Sequence, residues 1–440
     1  MSRLIKVLTA AFAIFTIIVH GSDQIPAPAQ SHPILITDVT LHPVSSEVIK
    51  NGQILFEYGI IITLGKDVGL LPDNTETISL PGKHVYPGFV AANTTMGLVE
   101  IQAIRATLDV NETGDFNPNI RAEVSYNPDS ELIPVARSNG ITVAHTIPKG
   151  GLISGSSAAM LMDGWTTEDV TLKAPVGMHL NWPAMDVGTG EKRKEREKKR
   201  DKKLEEIELF FREARAYLRA KEAAETANRP MDIDLRWEAM IPVLKGELPM
   251  IIHANRVRQI ETAVHWTRQQ NIRMILADGR DSWRVTDLLK KYEIPVILAS
   301  VHSLPARRWE DYDTPYTTPL KLHQASVQYC IAMSRGFFVA AHIRNLPYHA
   351  ATAAAYGLPK EEALKSITLY PAEILGIADR VGSLEPGKDA TLIITNGDPL
   401  EITTQVEIEF IQGRKIDLSD RQKMLYAKYQ EKYRQLRLIK

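Results

Sequence analysis

Between Ile34 and Ser79 apolar and polar residues alternate in short runs, broken at Asn51-Gly52, Gly65-Lys66 and Pro72-Asp73-Asn74. A period of two interrupted by turn formers predicts a meander of strands. A second β-rich stretch, 390–416 with Gly413 at a hairpin-like turn, lies at the other end of the chain. Between them, β-branched runs at 85–92, 141–147, 158–162, 176–180, 250–254, 273–277, 295–299 and 327–333 alternate with helical patterns. The clearest helical patterns cover 257–269, 282–292 and 348–356, the last ending at Gly357. Eight strands with intervening helices predict an α/β chain: a (β/α)8 TIM-type barrel, 87–381, plus a small composite β-sandwich domain built from both chain ends, 33–86 and 382–418. Any chemistry on such a barrel sits at the C-terminal ends of its strands.

Three segments stand outside this pattern. Arg3 and Lys6 precede an apolar run from Val7 to Val19, and Val19-His20-Gly21 offers the small or apolar residues a signal peptidase reads, so 1–21 is expected to be a secretory signal. That leader predicts a periplasmic or secreted protein, and its thirteen-residue hydrophobic run is short for a membrane span. A Pro-rich linker, 22–32, follows. Residues 191–206 hold nine bases and six acids with no apolar face, which predicts a solvated helical insertion (188–228) running into a docking stripe of Ile207, Phe210, Phe211, Ala214, Tyr217 and Leu218. The last helix, 419–440, begins at Ser419 with Gln422 three residues on, a capping-box spacing, and shows Leu425, Tyr429 and Tyr433 on one side.

Composition narrows the chemistry. With 44% apolar residues in 440, the chain can bury a large core. Its single cysteine, Cys330, excludes an internal disulfide framework and any multi-cysteine metal site. Loss of the leader moves the formal charge from -1 to -3, which gives nucleic acid no basic surface. The expected partner is a small-molecule substrate or ligand; no membrane span is expected in the mature protein, and a homo-oligomer is left open.

Residues 83–98, Lys-His-Val-Tyr-Pro-Gly-Phe-Val-Ala-Ala-Asn-Thr-Thr-Met-Gly-Leu, the mid-chain Ile251-Ile252-His253-Ala254-Asn255, and the C-terminal Pro371-Ala372-Glu373-Ile374-Leu375-Gly376 and 381–390 carry a resemblance over about 33–418. The chain resembles the amidohydrolase superfamily, especially its imidazolonepropionase-like branch. The resemblance implies a barrel that hydrolyses non-peptide C-N bonds in amides, cyclic amides or imines. It also implies one or two zinc-like ions held by His-x-His on strand 1, a Lys or Glu on strand 4, histidines on strands 5 and 6 and an Asp on strand 8. Such an ion acidifies a bound water, and a carboxylate takes the proton.

At the matching positions this chain differs. Asn93 and Thr95 stand where the strand 1 histidines would be, a neutral amide and a hydroxyl that bind zinc poorly. His253 matches the strand 5 ligand; Asp278 lies where the strand 6 histidine would be, and Ser334-Arg335 where Ser-Asp is usual. Two zinc ions are therefore not expected, whereas a single divalent metal such as zinc remains compatible, with His253, His179 and His145 as its ligands. A hard cation bound through Asn93, Thr95 and Asp278 oxygens is a further alternative. Lys173 and His302 are also placed near the barrel mouth. In the enzyme reading Asp278 activates water and His253 acts as ligand or acid/base residue. In the alternative, a catalytically inactive barrel binds an acidic small molecule through Arg335, Arg256, Arg280 and Asn93. The Gly/Ser-rich stretch 148–157 offers either backbone N-H groups for an oxyanion or a flexible loop.

Overall fold

The structure, a computed structural model, describes residues 24–333 and 337–438; the expected signal and Arg335 lie outside the described residues. The chain is a mixed α/β molecule. It opens with β1 (Ile34–Leu41), β2 (Ile49–Glu57), β3 (Ile60–Gly65), β4 (Glu76–Ser79) and β5 (His84–Pro87). There follow β6 (Phe89–Thr94), β7 (Ile141–Thr146), β8 (Ile153–Ser156), β9 (Ala158–Leu161), β10 (Thr171–Lys173), β11 (Met178–Asn181), β12 (Met250–Ala254), β13 (Met274–Asp278), β14 (Val296–Leu298) and β15 (Tyr329–Ile331). Three more close the order: β16 (Leu392–Thr395), β17 (Val406–Ile411) and β18 (Arg414–Lys415).

Strands from both ends of the chain share one sheet, because β16 pairs antiparallel with β5 while β1 pairs with β2, β4 and β5. One face buries Ile36, Leu41, Ile54 and Phe56 from the N-terminal strands against Leu392 and Phe410 from the C-terminal ones. Phe56 and Phe410 meet edge to face at 5.0 Å. The expected break at Asn51-Gly52 is not a turn. β2 runs through it as an irregularity against β1, with Asn51 at φ +50°, and a side chain at Gly52 would fall 2.9 Å from Leu41. The reversal instead comes at Tyr58-Gly59, both at positive φ.

The second layer of organisation is a run of hydrogen-bonded strands. β11 to β15 lie parallel in sequence order, and β6 pairs parallel with β7. The two groups join through β8 and β9, where β9 pairs with β7 and β8 with β11. At the other side Ile331 N-H donates to Ser366 O and Val90 N-H to Ile367 O, both at 2.9 Å, so the circuit of bonds returns from β15 to β6. All the expected strands form, yet β8 and β9 run antiparallel to their neighbours. Only six residues separate β7 from β8, and a parallel return needs a crossover of a dozen or more.

Helices cover this circuit. The charged segment forms one helix, Arg193–Thr226, that buries Ile207, Phe210, Phe211, Ala214 and Tyr217 while its first three turns carry lysine, arginine and glutamate in solvent. Phe211 meets Trp266 edge to face at 4.8 Å, and Glu208 accepts from the Trp266 indole at 2.7 Å, which fixes that helix on Val257–Gln270. The expected single helix over 282–292 is a 3-10 turn, Ser282–Arg284, followed by Thr286–Lys291. The last helix is Arg421–Gln435, capped by Asp420 rather than Ser419: its carboxylate accepts from Gln422 N (2.7 Å) and Lys423 N (3.0 Å). Among the described residues no helix is long and apolar enough to cross a membrane.

Candidate active site

Strands β6, β7, β12 and β13 are buried along their whole length, so their polar residues stand out as exceptions at or near the C-terminal ends. Those exceptions converge. Asn93 is the penultimate residue of β6, His145 lies on β7, His179 on β11, His253 on β12 and Asp278 ends β13, and all five are buried. Asn93 and Asp278 sit at φ +57° and +73°, a left-handed backbone that Asn and Asp tolerate better than other side chains.

The imidazoles of His145, His179 and His253 form a row, with ring centroids 5.9 and 5.2 Å apart. At its outer end, His253 Nδ1 lies 3.3 Å from Asp278 Oδ2, and Asn93 Nδ2 donates to Asp278 Oδ1 at 3.3 Å. An ionised carboxylate only accepts, so His253 donates from Nδ1, and its Nε2 faces His179 Nδ1 at 2.9 Å. At the inner end the Asn93 backbone N-H donates to His145 Nδ1 (3.2 Å). That nitrogen is therefore unprotonated, and Nε2-H donates to Ser157 Oγ at 2.8 Å. Burial, with the neighbouring His253, pushes the His145 imidazole down to about 3, so it is neutral at pH 7. Asn93 Oδ1 and Thr95 Oγ1 are buried and make no hydrogen bond.

Asp278 opens on a cavity of about 470 Å³. Its walls come from beyond β12, β13 and β14 and from the start of the helix Thr314–Gln324, and include Arg280, Trp283, Ser300, His302 and Glu310. The segment over the cavity is tied down by Arg307, which bridges Asp281 and Glu310. Burial raises the Glu310 carboxyl, but Arg307 and the backbone N-H groups of Ala306 and Arg307 outweigh it and hold the group below its ordinary value. Arg280 donates to the Leu304 carbonyl.

The residues singled out in the sequence divide accordingly. Asn93, His145, His179, His253 and Asp278 come together; Arg280 and His302 line the cavity; Arg256 precedes the helix Val257–Gln270 and is not part of the cavity wall. Lys173 is at neither place, since its ammonium bonds the carbonyls of Leu375 and Gly376 at a helix C-terminus. Several N-H groups of the Gly/Ser stretch are committed within the fold. Leu152 and Ile153 N-H donate to Asp115 O, and Ser156 N-H to Ile120 O. Its glycines answer to packing: a side chain at Gly155, φ +118°, would fall 2.5 Å from Ile120 O. Ser157, Trp283 and Glu310 were missed, because a serine, a tryptophan and a glutamate carry no motif until the fold brings them to the site.

Known proteins are similar to this chain in sequence and fold. Residues 322–418 match the model of the amidohydrolase family. An amidohydrolase from Thermotoga maritima MSB8 superposes with a TM-score of 0.76 at 26% identity, over 87% of this chain and 99% of that one. Amidohydrolase tasK of Hapsidospora irregularis is 22% identical over 378 residues, 80% of this chain; the chain spans 38% of the length of that relative. An adenosine deaminase from Xanthomonas campestris with bound zinc, 15% identical with a TM-score of 0.51 over 94% of this chain and 100% of its own, shares the fold. Together these likenesses support the amidohydrolase superfamily as the chain's relatives.

Proposed function

We propose that the strand circuit is a (β/α)8-type barrel whose C-terminal mouth hydrolyses a C-N bond in a small non-peptide amide, cyclic amide or imine. The observation that carries this reading is Asp278, which faces the cavity at the end of β13 while Asn93 and His253 hold its two oxygens. A carboxylate so held takes a proton from water as it attacks the carbonyl or imine carbon, and His253 steadies the charge behind it. The sequence from Tyr86 to Gly88 and the residues after His253 favour the imidazolonepropionase-like branch.

The donors present do not fit the two-ion centre that the family implies. Strand 1 offers an amide and a hydroxyl, and the His179 and His253 nitrogens face each other at hydrogen-bond distance rather than a common third point. Both His145 nitrogens have protein partners. Among the described residues no group of three His, Cys, Asp or Glu is disposed to hold an ion. General-base catalysis contributes about 10²–10⁴-fold. That suits a strained or electron-poor C-N bond better than a plain amide.

Turnover of a panel of cyclic amides, imides and imines, with and without chelator, tests this. Asp278→Asn is expected to lose at least about a hundredfold in kcat, and chelator to change little. Equal rates in wild type and Asp278→Asn would sink it. Arg280 in the cavity wall favours a second reading, a barrel that binds an acidic small molecule without turning it over. Calorimetric binding of dicarboxylates that Arg280→Ala abolishes, with no turnover of the panel, would select that one.

A further inference from the structure

The helix Arg421–Gln435 buries none of its residues. With 3.6 residues per turn, Leu425, Tyr426, Tyr429, Tyr433 and Leu436 fall within an arc of about 100°. Each is between 43% and 67% exposed. Arg421, Lys428 and Lys432 line one edge of the stripe and Lys423, Arg434 and Arg437 the other, while Glu431, the helix's one acid, lies on the opposite side. Lys432 Nζ sits 5.6 Å from the Tyr429 ring, its stem along the stripe. A fifteen-residue helix with no packed face is marginal in water, so this stripe calls for a partner.

We infer that the C-terminal helix lies on an anionic lipid surface, with its tyrosine and leucine stripe at the headgroup boundary and its two basic edges on the phosphates. The distribution is that of an interfacial helix, amphipathic aromatics between long cationic side chains. A second copy of the chain fits less well, because pairing two such stripes brings basic edges together. Gln24 donates through Nε2 to the Ser419 carbonyl and accepts from Arg137, which pins the root of this helix to the rest of the protein.

The test is hydrogen exchange of the full chain on vesicles of phosphatidylcholine with and without phosphatidylglycerol. Exchange over 421–438 should slow on the anionic vesicles at low salt and recover at about 0.5 M salt. A basic residue near such a surface is worth about 1 kcal/mol, or fivefold, so Lys428→Gln/Lys432→Gln/Arg434→Gln should weaken vesicle affinity roughly a hundredfold. All three side chains are exposed, and the variant should melt like the wild type. The inference is overturned if the chain binds vesicles while exchange over 421–438 stays unchanged, or if protection is equal on neutral vesicles. Protection that appears without lipid and grows with protein concentration would assign the stripe to a second copy instead.

Discussion

Asn93 and Asp278, 185 positions apart in sequence near the C-terminal ends of β6 and β13, both adopt left-handed backbone, and the amide of one donates to the carboxylate of the other at 3.3 Å. Two strained residues joined by one bond mark a place where conformation is held for a purpose.

The backbone at Asn93 can be separated from its bond. In Asn93→Ala a left-handed alanine costs about 1–2 kcal/mol and the lost bond adds up to about 1. Asn93→Gly loses the bond but not the backbone freedom, so it should be about 1 kcal/mol more stable than the alanine variant. Urea midpoints at constant slope measure both. Alanine and glycine variants of equal stability would show that φ is not the constraint.

Two buried histidines, His145 and His349, and the half-buried His42 make the fold acid-sensitive well above the carboxylate range. Burial is the main cause in each: His145 and His349 are pushed down to about 3, with neighbouring histidines adding to it, and His42 to about 4. Unfolded imidazoles titrate near 6.5, so their contribution is complete above that pH and is lost as pH falls toward the depressed values. His145 and His349, both almost fully buried, should each cost about 2 kcal/mol between pH 7 and pH 5. His145→Asn and His349→Gln should each flatten the dependence of the urea midpoint on pH over that interval. A wild-type midpoint unchanged from pH 7 to pH 5 would refute the assignment.

The sequence exposed the scaffold better than the site. Alternation in β1 and β2, and the runs in β12 and β13, are local signals, and the sharing of a sheet by both ends follows from two half-sheets that each lack a partner. His145, His179 and His253 were grouped in the sequence as ligands of one ion, but their row of stacked rings could not be read, since they come from three strands and meet only through register. Strand direction at β9 was misjudged because patterning says nothing of direction, and the stretch 148–157, read as a loop, holds the short strand β8. Glu407 and Glu409 lie two positions apart on one face of β17. Glu407 pairs with Lys83 near solvent, whereas Glu409 is fully buried under the larger core.

At Gly155 the backbone itself is the obstacle. A methyl group there would sit 2.5 Å from the Ile120 carbonyl oxygen, at φ +118° where L side chains rarely go. Neither contact can be relieved by rotating a side chain. Gly155→Ala should lose about 2 kcal/mol or more. It should also raise proteolytic susceptibility in the 111–121 segment that the stretch binds. An unchanged melting temperature would mean that the segment shifts at no cost.

Glu409 supplies the opposite pH signature from the histidines. Burial raises its carboxyl well above the usual value; Arg137 opposes this and Asp163 adds to it, while neither carboxyl oxygen has a hydrogen-bond partner. Below the ordinary glutamate value, 4.5, folded and unfolded chains are both protonated and the group is neutral to stability. As pH rises through that value the unfolded chain ionises and the folded one does not. Stability is then lost at about 1.4 kcal/mol per pH unit until the raised value is reached. Glu409→Gln removes the titration and keeps the shape, so any packing penalty it brings is the same at every pH. The difference between variant and wild type in unfolding free energy should therefore move in the variant's favour from pH 4.5 upward, by at least about 1 kcal/mol at pH 7. A difference that stays flat from pH 4.5 to pH 8 would mean that Glu409 is ionised in the folded chain and that Arg137 compensates its burial in full.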